Sequence, residues 1–307
     1  MSNLRGIDVD FAEAFKKNVL YGLYKEHKRE LILGVRNNYL NLYYNCGSIA
    51  KIEYKNKKFT YDISDSYLNK KSEEITPQLI CDNYEVIKKN IDKCPGEEGK
   101  AQSKLFILNN EEEKKSKWFC IDTENANSDF RGRFDIIAIT KTSPHKVALI
   151  EIKYGARAFD GKGGIYEHIE NFTEFCKIDY FKDQMRQEII NIIKSLKNLD
   201  IYIPFDIPDV NSISSKPDFY FITLDNNPDK EGASTPKQKM SARLFDDGRW
   251  DCKRLPKENP SVQSKFGDVT DVNNPKFHAT FLFSPQTVEN IAINDIIEDN
   301  SYDKEPK

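Results

Sequence analysis

The chain has 307 residues, of which 38% are hydrophobic and 31% are charged, and its formal net charge is −3. This length can bury a sizeable core, and no run approaches the roughly eighteen apolar residues of a membrane-spanning helix. The six cysteines and four histidines are scattered without a CxxC or His-based pattern, which excludes the usual structural zinc motifs and a disulfide framework. Because the N-terminal stretch has no apolar signal core, we expect a cytoplasmic protein without a membrane partner.

The charges are distributed unevenly along the chain. Residues 1–60 carry eleven Lys and Arg against six Asp and Glu, an excess of +5. Since the net charge is slightly negative, a nucleic-acid partner would have to meet a local basic patch. The same charges also suit an ordinary solvated surface.

The first ninety-five residues predict helices and a small sheet. Apolar periodicity favours an amphipathic helix over residues 8–30. Residues 31–64 alternate aromatic and β-branched side chains with polar turn clusters, which predicts an antiparallel meander of three or four strands. Thr76 and Pro77 then predict a helix start, with threonine as N-cap, continuing to Asp92. We assign residues 1–95 to an N-terminal accessory region that is a candidate surface for a homo-oligomer or a partner subunit.

From residue 96 the order of predicted elements changes to α-β-β-β-α-β. The segments are residues 97–110 (helix), 117–125, 131–140 and 145–155 (strands), 165–199 (a long helix bent near 177–180) and 216–227 (a buried parallel strand). Beyond them we expect a polar loop, a hairpin around Asp247-Gly248, one more strand and a closing helix. We therefore predict an α/β domain over residues 96–307 with a mixed central sheet.

The strand VALIEIKYG (147–155) ends in two charged residues on one face. Glu151 and Lys153 share a face because alternate residues of a strand point the same way. The short connection KTSPH predicts that the preceding strand runs antiparallel beside this one and brings Asp135 close to Glu151. Two adjacent carboxylates repel each other unless a cation is present, and Mg²⁺, or Mn²⁺ in its place, suits such a pair. A lysine beside the ion can hold an attacking water.

Asp135 followed by Glu151-Ile152-Lys153, on consecutive strands between two helices, resembles the PD-(D/E)xK nuclease superfamily over roughly residues 98–225. The resemblance implies a restriction-endonuclease-like core and a Mg²⁺-dependent nuclease. Asp135 and Glu151 would be metal ligands, the Ile152 backbone carbonyl a further ligand, and Lys153 the residue that positions the nucleophile. The residue before Asp135 is Phe134 instead of the proline of the commonest pattern, a position at which many members vary.

Other residues are weaker candidates. Glu124 would add a third carboxylate to the metal site, or it lies at a solvated strand edge. His168 would reach phosphate from a helix over the site, or it only packs there. Gln184 invites comparison with a polar residue that many members place on this helix. Arg157 and Lys162, in a glycine-rich connection, are candidates for substrate contact.

These observations favour a metal-dependent phosphodiesterase acting on nucleic acid, with DNA favoured over RNA. A role in bacterial defence or restriction is implied by the resemblance alone. The alternative is a catalytically inactive nuclease-fold module that binds nucleic acid or a partner protein. A glycosidase is less compatible, because a carboxylate pair of that kind does not require a lysine two residues from Glu151.

Overall fold

A computed structural model describes residues 4–68, 75–93, 96–111, 116–126, 133–154, 164–224, 250–254, 264–271, 274–284 and residue 293. The chain packs into two compact units, one of residues 1–107 and 183–212 and the other of residues 108–182 and 213–307. Residues 96–107 and 183–212, which the sequence assigns to the second domain, belong to the first unit. None of the helices in the described part of the chain has the length and apolarity needed to span a bilayer.

Two of the helices predicted before residue 108 are each divided into shorter ones, whereas the helix predicted over residues 97–110 is confirmed. The helices before residue 108 are α1 (Val9–Phe15), α2 (Val19–Glu26), α3 (Asp65–Leu68), α4 (Pro77–Asp82), α5 (Tyr84–Lys93) and the start of α6 (Glu97–Asn110). The single helix predicted over residues 8–30 is wrong, because the Asn18 side chain accepts the Leu20 N–H and starts a new helix. The helix predicted from Thr76 to Asp92 likewise divides, at Asn83. Thr76 is confirmed as an N-cap, since its hydroxyl accepts the Leu79 N–H at 3.1 Å.

The predicted meander is confirmed as a four-stranded antiparallel sheet. Its strands, β1 (Leu31–Val35), β2 (Tyr39–Tyr44), β3 (Gly47–Lys55) and β4 (Lys58–Asp62), are neighbours in chain order. Helix α1 covers one face of this sheet, where the Phe11 ring centroid lies 5.5 Å from that of Tyr54 and 5.9 Å from that of Phe59. Burial of these aromatic rings supplies the hydrophobic contribution that joins helix and sheet.

The second unit is built on a mixed sheet of seven strands. They are β5 (Trp118–Ala126), β6 (Arg133–Thr140), β7 (Val147–Tyr154), β8 (Asp218–Leu224), β9 (Trp250–Arg254), β10 (Ser264–Asp271) and β11 (Asn274–Ser284), in the order β5-β6-β7-β8-β11-β10-β9. The first three strands are antiparallel, whereas β8 is parallel to both β7 and β11. The mixed α/β class and the parallel strand are therefore confirmed. The predicted hairpin turn at Asp247-Gly248, the polar loop before it and the closing helix lie outside the described residues.

Within the second unit, helix α7 (Ile165–Lys177) packs on the sheet through aromatic side chains. The ring centroid of Phe134 lies 4.9 Å from that of Phe172 and 5.1 Å from that of Phe175. The ring centroid of Phe172 also lies 5.6 Å from that of Phe219 in β8. After Lys177 the chain bends, passes through a π-helical turn at Phe181–Met185 and continues as α8 (Arg186–Asn198). The predicted bend near residues 177–180 is confirmed, and the packing holds α7 beside the ends of β6 and β7.

Candidate active site

Strands β6 and β7 bring the two predicted acids together. Their antiparallel register pairs Ile136 with Ile150, and the same register continued by one residue sets Asp135 opposite Glu151. The Ile152 N–H donates a hydrogen bond to Asp135 Oδ2 at 2.8 Å. The side chain of one strand is thereby fixed by the backbone of the other, at the position where the Glu151-Ile152-Lys153 triplet lies.

Glu151 is held between two nitrogen groups. Lys153 Nζ lies 2.5 Å from Glu151 Oε1, and His168 Nε2 lies 3.0 Å from the same oxygen. Glu151 and Lys153 are only 1% and 2% exposed, whereas the His168 side chain is 18% exposed. The sequence prediction that Glu151 and Lys153 share a face agrees with this geometry, and α7 places the imidazole of His168 at the same cluster.

Asp135 is a strongly perturbed carboxyl. Burial raises its pKa to about 6, the Lys153 ammonium opposes this rise, and the Glu124 carboxylate adds to it. The Ile152 N–H and the Arg133 guanidinium also lower the pKa. Burial penalises the charged form of a carboxyl group, and a second nearby carboxylate penalises it further. A positive ion bound between the acids would relieve both effects.

Glu124 lies beside this cluster in an irregular part of β5. A register shift between Cys120 and Asp122 interrupts the pairing with β6, and Glu124 has a φ of 54°, which is rare for a residue other than glycine. Its Oε2 lies 2.5 Å from Arg133 Nη1. The carboxylate predicted as a third metal ligand is therefore in an ion pair, although it is near enough to Asp135 to raise that pKa.

The donor set fits a hard divalent cation in type. Within the described residues there is no group of three or more Asp, Glu, His or Cys side chains arranged to hold a metal. Mg²⁺ does not require such a group, because it usually keeps several waters and takes one or two carboxylates from the protein. Asp135 and Glu151 would supply those carboxylates, and the Ile152 backbone would add a carbonyl oxygen from the residue between Glu151 and Lys153.

The other predicted substrate contacts belong to the first unit or lie outside the described residues. Gln184 belongs to the π-helical turn at Phe181–Met185 and falls in the first unit, whereas Asp135 and Glu151 belong to the second. Arg157 and Lys162 lie outside the described residues. Of the four side chains proposed from sequence for substrate contact, His168 is therefore the one whose place beside the acids can be described.

Thr223 is a neighbour of the site that sequence reasoning did not identify. It pairs with Lys153 across the parallel strands β7 and β8 and is fully buried. In the described part of the chain, no group forms a hydrogen bond with its Oγ1. The sequence feature that could have indicated Thr223 is a single threonine in the otherwise apolar run FYFITL. The same pattern is also typical of a strand in which threonine has only a packing role.

Comparison of the chain with protein-family models, curated proteins and solved structures found no match. The resemblance drawn from Asp135 and Glu151-Ile152-Lys153 therefore stays a prediction. Function has to be inferred from the chemistry of these side chains and from the elements that hold them.

Proposed function

We propose that this chain is a divalent-metal-dependent nuclease of the PD-(D/E)xK type, which hydrolyses phosphodiester bonds of nucleic acid, with DNA the favoured substrate. The observation that supports this most strongly is the meeting of Asp135 with Glu151-Ile152-Lys153 across β6 and β7, including the 2.8 Å hydrogen bond from Ile152. The element order α6-β5-β6-β7-α7-α8-β8 is consistent with the restriction-endonuclease-like core that the resemblance implies, with two helices in place of one between β7 and β8.

In this proposal Asp135 and Glu151 hold Mg²⁺ or Mn²⁺, with the Ile152 carbonyl as a further ligand. A bound divalent ion supplies charge neutralisation for the phosphate and lowers the pKa of a coordinated water. Lys153 orients the attacking water and offsets negative charge that develops on the phosphate oxygens. Its contact with Glu151, two residues away on the same face of β7, supports this role, because Glu151 is one of the proposed metal ligands.

His168 positions a metal ligand in the same proposal. The contact of its Nε2 with Glu151 Oε1 fixes the orientation of that carboxylate, as residues hydrogen-bonded to metal ligands commonly do. Its side chain is also more exposed than those of Asp135, Glu151 and Lys153, so the imidazole is the member of the cluster nearest to solvent. Its Nε2 contacts Glu151 and its Nδ1 is buried, so the part of this side chain that faces solvent is carbon.

A specific observation favours a second candidate function, an inactive nuclease-fold module that binds nucleic acid or a partner protein. Lys153 and His168 both contact Glu151, and the three central side chains are each at most 4% exposed. A buried acid whose charge is already balanced by a lysine can serve structure alone. The two candidates differ in metal-dependent cleavage.

The test is digestion of supercoiled plasmid, linear duplex DNA, single-stranded DNA and RNA with Mg²⁺, Mn²⁺ or EDTA. Asp135→Asn, Glu151→Gln and Lys153→Met should each reduce cleavage about a hundredfold or more, with folding checked by circular dichroism. Lys51→Met is the matched control, because Lys51 and Glu53 form an acid–lysine pair of the same spacing at 2.7 Å on β3. This control should cleave like the parent.

Metal-independent cleavage, or equal cleavage by the parent and the two acid variants, would contradict the nuclease proposal. Salt-sensitive binding of nucleic acid by the parent, without cleavage under any metal condition, would support the inactive module instead.

A further inference from the structure

A solvent-open groove lies between α2 and the helices α4 and α5 of the first unit. Its volume is about 650 Å³, and its walls include Val19 and Leu23 of α2 together with Tyr84 and Val86 of α5. Val19 and Val86 are 45% and 41% exposed. Exposed apolar walls around a groove of this size are typical of a binding surface.

Gly22 is the second observation that indicates a ligand. It lies inside the eight-residue helix α2 and lines the groove. A Cβ at this position would meet no atom within 4 Å, and its backbone is not in the left-handed region. A glycine inside a helix is less stable than alanine, and neither internal crowding nor backbone conformation requires it here. Its bare backbone does permit another chain to approach α2 closely.

The rim of the groove is acidic. Glu26, Asp82 and Glu85 all line it and are exposed, although residues 1–60 as a whole carry an excess of +5. Lys88 lies 3.6 Å from Glu85 and offsets part of its charge, but the Glu85 side chain is 78% exposed. Asp82 is also exposed and accepts a hydrogen bond from the neutral Gln78 amide. This local charge repels nucleic acid and anionic lipid, and it attracts a cationic ligand.

We propose that this groove binds a helical segment of a partner protein, with apolar side chains on one face and Lys or Arg beside them. Apolar anchors of that helix enter between Val19 and Val86, its backbone crosses α2 at Gly22, and its basic residues meet the carboxylates of the rim. This is the general mode of helix-in-groove recognition. The inference does not depend on the proposed nuclease activity and stands or fails separately from it.

The test uses the full chain and two fluorescein-labelled peptides. The first has leucines at helical i, i+3, i+4 and i+7 positions with lysines elsewhere, and the second has the same composition in an order that forms no apolar face. Fluorescence polarisation should show saturable binding of the first peptide, and the second should bind at least about tenfold more weakly.

Variants of the groove sharpen the test. Glu26→Lys with Glu85→Lys should weaken binding about tenfold, whereas Glu13→Lys, one charge reversal on α1, should change it less than twofold. Gly22→Leu should abolish binding by filling the groove, and Val86→Asp should do so by replacing an apolar wall. Gly22→Ala should raise the Tm by about 2–4 °C, because alanine favours the helix, and should weaken binding.

Equal binding of both peptides, or binding unchanged by Val86→Asp and the double charge reversal, would overturn the proposal and indicate general charge attraction. Failure of the first peptide to bind would also overturn it. Light scattering that shows a dimer of the parent, made monomeric by Gly22→Leu or Val86→Asp, would assign the groove to a second copy of this chain and so contradict a separate partner.

Discussion

Substitution of Lys153 by methionine should destabilise the protein far more than the same change at a comparable surface lysine. Lys153 Nζ lies 2.5 Å from Glu151 Oε1, and the two side chains are 2% and 1% exposed. Lys51 lies 2.7 Å from Glu53, but these side chains are 39% and 27% exposed. The two pairs have the same residue types and the same spacing along a strand, and each carboxylate has a second nitrogen neighbour, His168 for Glu151 and Lys55 for Glu53. Burial is therefore the principal difference between them.

The expected magnitudes follow from that difference. Removal of one partner of a buried ion pair leaves an uncompensated charge and costs about 3–5 kcal/mol. Removal of one partner of an exposed pair costs about 0–1 kcal/mol, because water solvates the remaining carboxylate. The double variant Lys153→Met with Glu151→Gln should regain part of the loss, since neither member of the pair then carries a charge.

Guanidinium denaturation followed by circular dichroism measures these free energies of unfolding. The four proteins to compare are the parent, Lys153→Met, Lys51→Met and the double variant, at pH 7 and one salt concentration. If the losses in free energy of unfolding caused by Lys153→Met and Lys51→Met agree within about 1 kcal/mol, Lys153 does not lie in the low-dielectric cluster described above.

Three further predictions concern stability. Partial burial raises the pKa of Glu30, but hydrogen bonds from Lys88 and a neighbouring tyrosine outweigh it and hold this pKa below its ordinary 4.5. The stabilisation by ionised Glu30 is therefore present above pH 4.5 and is lost as the pH falls below it. Glu30→Gln should cost about 1 kcal/mol at pH 7, and urea titrations should show this difference in the free energy of unfolding shrinking towards pH 3. Thr223→Val should stabilise the protein by about 1 kcal/mol, because the buried threonine hydroxyl makes no hydrogen bond within the described residues. Thermal denaturation measures this change, and a loss of stability would show that the hydroxyl has a hydrogen-bond partner. Gly47→Ala should lower the free energy of unfolding by about 1–3 kcal/mol, because the new Cβ would lie 2.7 Å from Ile91 Cγ2. An unchanged Tm in the same assay would show that Ile91 moves aside freely.

The central geometry was predictable because it follows from alternation along strands and from one short turn. Glu151 and Lys153 are two residues apart, so any strand sets them on one face. The brief connection after β6 leaves little choice but an antiparallel neighbour, which brings Asp135 to the same place. These are local consequences of chain geometry, and they do not depend on the rest of the fold.

Features that depend on a single backbone angle or on distant strands were not predictable in the same way. Asn18 fits the helical periodicity around it, and its side chain nevertheless caps a new helix. Glu124 follows a register shift and has a positive φ, which alternation cannot show. Thr223 reaches Lys153 only because β8 aligns in parallel with β7, an arrangement set by a crossover of more than sixty residues.

The most direct measurement is anomalous diffraction from crystals of the parent chain soaked in Mn²⁺. If Asp135 and Glu151 bind one cation between them, an anomalous peak should lie about 2.0–2.3 Å from a carboxylate oxygen of each acid. Crystals of Glu151→Gln soaked in the same way should show no such peak. A well-diffracting parent crystal with no manganese between these two acids, or with manganese bound only elsewhere, would contradict the proposed metal site.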